Sequence, residues 1–238
     1  MPRHLSPEEA EELKPGSDNY RAYVGPPRRF GLLTLSQMSL LAALGLEETD
    51  YVLDFGCGSL RLGRSLIPFL REGRYFGVDP NLWLIDDGFK YETGEDLKTL
   101  KSPQFSGSDA FDCTVFGREF DFIMAQSIIT HAGADNTRKL IESAGRAMKQ
   151  DGILMLSYLK GEAGTPLPEE PWTYPFNVPY PESWLQQTCA DAGLVWRELD
   201  WHHAGATWAA VVRDERRLPL DDHKLGYRGV AASRWRAG

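Results

Sequence analysis

The stretch Val52-Leu53-Asp54-Phe55-Gly56-Cys57-Gly58-Ser59-Leu60-Arg61-Leu62-Gly63 decides how this chain folds. Tyr51 to Phe55 is a short apolar run with the length of a buried strand, and Leu60 to Leu70 carries apolar residues at helical spacing. Gly56 and Gly58 stand between them. Glycine lets the backbone turn sharply and approach a ligand with no Cβ in the way. A helix that opens on such a turn aims free N–H groups into it and favours an anionic group there. Together these features predict a ligand site at the carboxyl end of a strand in an open sheet.

Outward from the turn, short apolar runs alternate with helical stretches. Strands are predicted at 75–78, 104–106, 120–125 and 153–158, and helices over 81–90, 136–148 and the residues ending at Lys101. Glu182 to Ala192 reads as a helix. Leu194–Leu199 and Thr207–Val212 read as an antiparallel strand pair. This pattern predicts a doubly wound α/β fold: a mostly parallel seven-stranded sheet, helices on both faces, and an antiparallel last strand.

Three flanking regions complete the organisation. In residues 1–48, Ser6-Pro7-Glu8-Glu9 is a capping-box helix start. A loop over Tyr20–Phe30 follows, then a helix whose apolar face is Leu32, Leu33, Leu35, Met38, Leu41, Leu44 and Leu46. Residues 49–213 form the ligand-binding domain. Within it, 161–181 holds six prolines and two glycines, the composition and length of a lid loop. Residues 214–238 read as a tail, with Arg228, Arg234 and Arg236 solvated.

Composition narrows the function. The chain has 238 residues, 42% hydrophobic and 25% charged, enough for a large core without disulfide or metal support. The net charge is 26 − 34 = −8, which disfavours a general nucleic-acid binder. Three cysteines without repeated spacing make neither a disulfide framework nor a zinc motif. The polar, acidic start is unlike a secretory signal, and no run reaches the ~20 apolar residues of a membrane helix. A cytoplasmic protein without membrane or nucleic-acid partners is expected, and no metal.

The glycine turn departs from the dinucleotide fingerprint G-x-G-x-x-G. Arg61 stands at the third glycine's place and Gly63 falls two residues late, which argues against a nicotinamide-dependent oxidoreductase. Asp54 suits a ligand with a cationic or donor group, a helix cap being its plainer reading. Asp79, 79 − 58 = 21 residues past Gly58, is placed to accept from ribose hydroxyls. Asp109 can accept from an exocyclic amine. Ordinary turn residues are the plainer reading of both.

In this order and spacing, Val52–Gly63, Tyr75-Phe76-Gly77-Val78-Asp79-Pro80, Ser108-Asp109-Ala110, Phe120–Ser127 closing on His131, and Gly152-Ile153-Leu154-Met155 resemble the motifs of class I S-adenosylmethionine-dependent methyltransferases. The resemblance covers about residues 50–213 and implies S-adenosyl-L-methionine as cofactor. It implies that Gly56, Cys57 and Gly58 pass the cofactor's amino-acid end, with Asp54 near its amine. Asp79 would take the ribose, Pro80 a face of adenine, and Asp109 with Ala110 its edge. Gln126 and Ser127 would line the methyl-donor end. Arg61 is expected to pair with the cofactor carboxylate, since its fork suits bidentate binding.

His131, at the mouth of the site, is the candidate general base, against a purely local structural role. His202 and His203 read as an exposed turn between the last two strands, and pocket lining is the alternative. Tyr20, Tyr23 and Phe30 are read as a cofactor cover and Trp172, Tyr174, Phe176 and Tyr180 as an acceptor lid, against a small core under long loops. The expected activity is methyl transfer to oxygen or nitrogen of a small-molecule or sugar-containing (glycan) acceptor. A regulatory protein that binds the cofactor without turnover would lack a formed acceptor pocket.

Overall fold

A computed structural model describes Ser6, Glu9, residues 12–201, His203 and residues 205–218. Seven strands run across the sheet in the order β3-β2-β1-β4-β5-β8-β7. They are β1 (Val52–Phe55), β2 (Tyr75–Val78), β3 (Gln104–Ser106), β4 (Phe120–Ala125), β5 (Met148–Gly161), β7 (Val195–Leu199) and β8 (Thr207–Val212). β1 to β5 pair in parallel, and β8 runs antiparallel to both β5 and β7. The doubly wound α/β reading therefore holds, with one addition. Pro179–Pro181, in the stretch expected to be loop, forms a short β6 beside the end of β5. Proline is tolerated there because an edge strand can leave an N–H position unused.

Alternation along the central strands separates two cores. Leu53, Phe76, Ile123, Leu154 and Val211 point to one face, against Leu140, Ile141 and Ala144 of α6 (Ala134–Ala147) and Leu185 of α7 (Glu182–Asp191). Val52, Phe122, Met124, Ile153 and Met155 point to the other. There they meet α2 (Phe30–Ala43), α3 (Gly63–Phe69) and α4 (Leu82–Gly88). Successive strand side chains face opposite sides, so strands covered on both faces must be apolar throughout. α5 (Asp96–Lys101) precedes β3.

Three local expectations are corrected. The Tyr20–Phe30 segment is not all loop: Tyr20–Tyr23 is a short helix, α1, capped by the Asn19 side chain, and Pro27–Arg29 is a 3-10 turn. α2 buries only part of the face its leucines imply: Leu33, Leu41 and Leu44 are buried. Thr34 and Gln37 are buried, whereas Leu32 and Leu35 are 55% and 66% exposed. The helix after the glycine turn starts at Gly63, not Leu60, because Leu60 adopts a left-handed backbone (φ 60°) that interrupts helical geometry. The capping box is present: Ser6 N–H donates to Glu9 Oε2 and Glu9 N–H to Ser6 Oγ. His202 and residues 219–238 of the proposed tail, including Arg228, Arg234 and Arg236, lie outside the described residues.

Candidate active site

A cavity of about 860 Å³ opens at the carboxyl ends of β1, β2, β4 and β5, where open α/β sheets bind ligands. Its floor includes the turn after β1. Gly56 and Gly58 hold φ values of +76° and +50°. A Cβ on Gly56 would lie 2.1 Å from Ile128 Cδ1, and one on Gly58 2.6 Å from Val24 Cγ1. Both positions therefore need glycine for conformation and for space. Val24 belongs to the segment after α1, so the N-terminal region packs directly on the turn.

Asp79, at the end of β2, braces the turn. Its Oδ2 accepts from Gly58 N–H at 2.9 Å, and its Oδ1 accepts from the backbone and side-chain N–H groups of Asn81. Burial pushes its carboxyl up, and the Asn81 and Gly58 backbone N–H groups pull the other way. Pro80 and Asp109 also line the cavity, Asp109 from an exposed position; Ala110 is exposed and outside the lining.

A small recess lies behind the turn, lined by Gln37, Asp54, Cys57, Arg61 and Gln126 among others. Asp54 faces this recess and not the main cavity. Burial pushes its carboxyl up to about 6, against the pull of the Tyr75 hydroxyl, which donates to Oδ2 at 2.7 Å, and of the Arg61 guanidinium. Arg61 lines both spaces. Its Nη1 donates to Val24 O at 2.9 Å, and burial lowers its guanidinium to about 10. Burial raises the Cys57 thiol well above its ordinary value. Gln37 Oε1, Arg61 Nε and Gln126 Oε1 are buried with no hydrogen-bond partner among the described residues. Buried polar atoms are nearly always satisfied, so three such atoms around one recess fit a polar ligand group carrying both donors and acceptors.

Another wall of the cavity is built by the segment after β4 and by residues 171–177. Gln126, Ser127, Thr130 and His131 line it, as do Asn136 and Asn177. The two segments are laced together. Thr173 N–H and Oγ1 donate to His131 O, Val178 N–H donates to Thr130 O, and Gly133 N–H donates to Pro171 O. His131 is buried, and its Nδ1 lies 2.9 Å from Phe176 O. A carbonyl only accepts, so the proton sits on Nδ1 and Nε2 keeps its lone pair. Burial pulls the imidazole down, against the raising effect of that carbonyl contact.

The aromatic residues divide. Tyr23, Trp172 and Tyr174 line the cavity; Tyr20, Phe30 and Tyr180 are core; Phe176 is 77% exposed. Tyr23 and Tyr174 have ring centroids 5.8 Å apart, and the Tyr174 hydroxyl donates to Tyr23 O. The two aromatic segments thus meet over the cavity. Tyr23 also packs edge-on to Trp83. Glu92 fastens α1 to the body: its buried carboxylate takes the Tyr20 hydroxyl and the guanidinium groups of Arg21 and Arg64.

Among the lining residues outside the sequence assignment are four amides, Gln37, Asn81, Asn136 and Asn177, and only Gln37 is signalled, as a polar residue within an apolar helix. His203, read as an exposed turn, is half-buried on the cavity wall with its Nε2 3.0 Å from Gln126 Nε2. Among the described residues no group of three or more His, Cys, Asp or Glu could hold a metal ion.

Strand order, glycine turn and cavity together define the architecture of class I S-adenosylmethionine-dependent methyltransferases. A family model described as a methyltransferase domain matches residues 29–199, and the chain belongs to that family. Solved structures share the fold. Magnesium protoporphyrin IX methyltransferase (ChlM) from Synechocystis PCC 6803, with bound SAM, is 17% identical with a TM-score of 0.56, over 76% of this chain and 81% of that one. The mitomycin 7-O-methyltransferase MmcR is 16% identical with a TM-score of 0.60, over 82% and 56%. The pyocyanin biosynthetic protein PhzM is 15% identical with a TM-score of 0.59, over 83% and 59%. The enzyme is a methyltransferase that uses S-adenosylmethionine.

Proposed function

We propose that this methyltransferase acts on the oxygen or nitrogen of an uncharged small-molecule acceptor, a glycoside included, with His131 as general base. The cofactor supplies an electrophilic methyl group on a sulfonium. We place its amino-acid end at the recess: Arg61 N–H groups would hold the carboxylate, while Asp54 and the orphan oxygens of Gln37 and Gln126 would meet the ammonium. Asp79 would hold the ribose, with Pro80, Asp109 and Tyr23 about the adenine. Ser127, Thr130 and His131 would then border the methyl group and its acceptor.

The observation that carries the reading is the Nδ1 contact of His131 with Phe176 O. It leaves the lone pair on Nε2 of a residue lining the cavity, and burial favours the neutral ring. Such a group takes the acceptor's proton as its oxygen or nitrogen attacks. The walls there are aromatic and amide-rich (Phe111, Trp172, Tyr174, Asn136, Asn177), which suits a flat, uncharged molecule. Neighbours named for porphyrin and mitomycin methylation agree with a small acceptor. The net charge of −8 disfavours nucleic acid, and no helix among the described residues is long and apolar enough to cross a membrane. We read the protein as cytoplasmic, organised as a cover (1–48), a catalytic domain (49–213) and a tail (214–238).

The test is incubation with S-adenosylmethionine and a panel of phenols, N-heterocycles, glycosides and RNA, scored by mass spectrometry. A phenol, heterocycle or glycoside one methyl group heavier is expected. Methylation of RNA alone would overturn the assignment.

A further inference from the structure

Gln126 stands between the two spaces, lining both the cavity and the recess. Its side-chain nitrogen lies 3.0 Å from Nε2 of His203, a residue 77 positions away on the β7–β8 connection. An amide nitrogen only donates, so this contact requires the His203 tautomer with its proton on Nδ1 and Nε2 as acceptor. The His203 ring is set edge-on against Trp208 of β8, which is fully buried. With the nitrogen of Gln126 tied on the His203 side, its oxygen is directed away from His203. That oxygen is buried and has no partner among the described residues.

We infer that His203 is a positioning residue: it fixes the sense of the Gln126 amide, so that the oxygen faces the recess as an acceptor for the α-ammonium of the cofactor. This rests on the placement of the cofactor's amino-acid end proposed above. The amide nitrogen and oxygen are nearly isosteric, and packing alone does not choose between the two orientations. Reversal would aim two N–H donors at an ammonium that itself only donates. The recess would lose an acceptor and gain a repulsive dipole. His203 thus acts on cofactor affinity through Gln126, from outside the glycine turn and the strand ends.

The test compares two probes by calorimetry on the full chain. S-adenosylhomocysteine carries the amino-acid end, and 5′-methylthioadenosine lacks it. Wild type is expected to prefer the first. His203→Phe should cut that preference about ten-fold or more, the effect of a lost hydrogen bond to a charged group, while leaving methylthioadenosine affinity unchanged. His203→Gln, which restores an acceptor at the end of its side chain, should recover most of the preference. Gln126→Leu should lose it, and adding His203→Phe to Gln126→Leu should cost nothing more. An unchanged preference in His203→Phe would overturn the inference, as would losses that add in the double variant. If His203→Phe does not fold, loss of preference in His203→Gln overturns it. A wild type without preference would instead overturn the placement of the amino-acid end.

Discussion

Nδ1 of His131 faces the carbonyl oxygen of Phe176 at 2.9 Å, so one contact both anchors residues 171–178 and sets the tautomer of the candidate base. The two roles separate by substitution. His131→Asn keeps a nitrogen donor near the Nδ1 position and removes the base. It should lower kcat by ~10²-fold or more, the usual range for a lost general base, with S-adenosylhomocysteine affinity within about three-fold of wild type. Equal loss of both would assign His131 to lid anchoring alone.

The pH profile has a defined sign. Burial holds the His131 imidazole below its ordinary 6.5, and the neutral form is the active one. The rate should rise with pH along a limb whose midpoint lies below 6.5. The acid limb should be absent from the residual activity of His131→Asn. An acid limb centred above 6.5 would contradict the burial argument.

Asp54 links cofactor binding to stability. Its carboxyl is raised from 3.8 to about 6 in the ligand-free fold, so the folded protein holds that proton more tightly than the unfolded chain does. The ionised carboxylate therefore costs stability. The cost is absent below about 4, grows as pH rises through about 6, and approaches ~3 kcal/mol above it. Asp54→Asn should raise the melting temperature of the ligand-free protein at pH 7.5, with little effect at pH 4. It should also weaken S-adenosylhomocysteine binding, and wild-type affinity should fall as pH drops below 6. A variant that destabilises at pH 7.5 would contradict this.

The approach of Val24 to the glycine turn gives a coupling test. Gly58→Ala places a Cβ 2.6 Å from Val24 Cγ1 at a φ of +50°, and steric and conformational strain should together cost ~1–3 kcal/mol. Val24→Ala removes the opposing methyl groups. In the double variant part of the loss should return, measured by urea denaturation. Simple additivity would show that the cover does not rest on the turn.

Glu92 ties α1 to the body through Tyr20, Arg21 and Arg64. Glu92→Gln should loosen that tie, with a cost of ~1–3 kcal/mol because both arginines are partly exposed. Hydrogen exchange should accelerate over residues 20–26 more than over α6. Uniform acceleration would indicate a general packing defect.

The positions of the central strands were legible because strands buried on both faces read as mainly apolar runs, and Phe122–Ala125 is such a run. The packing face of α2 was legible only in part: Leu33, Leu41 and Leu44 are buried as their spacing implies, but Leu32 and Leu35 are exposed. Thr34 is buried, with its hydroxyl bonded to Arg61 O, and Gln37 lines the recess, so site-facing polar residues broaden the buried face beyond the apolar pattern. Nothing in a leucine signals the left-handed turn at Leu60. In the candidate site, Asp79 stood out by its distance from Gly58. His203 did not, because its place on the wall depends on a contact spanning 77 residues.

The central claim is that the recess behind Gly56–Gly58 takes the amino-acid end of the cofactor while His131 borders the acceptor. A crystal structure with S-adenosylhomocysteine tests it most directly. The account predicts the carboxylate on Arg61, the ammonium beside Asp54 and Gln126, and the thioether sulfur facing the His131 wall of the cavity. An amino-acid end lying under Trp172 and Tyr174, with the recess bypassed, would contradict it.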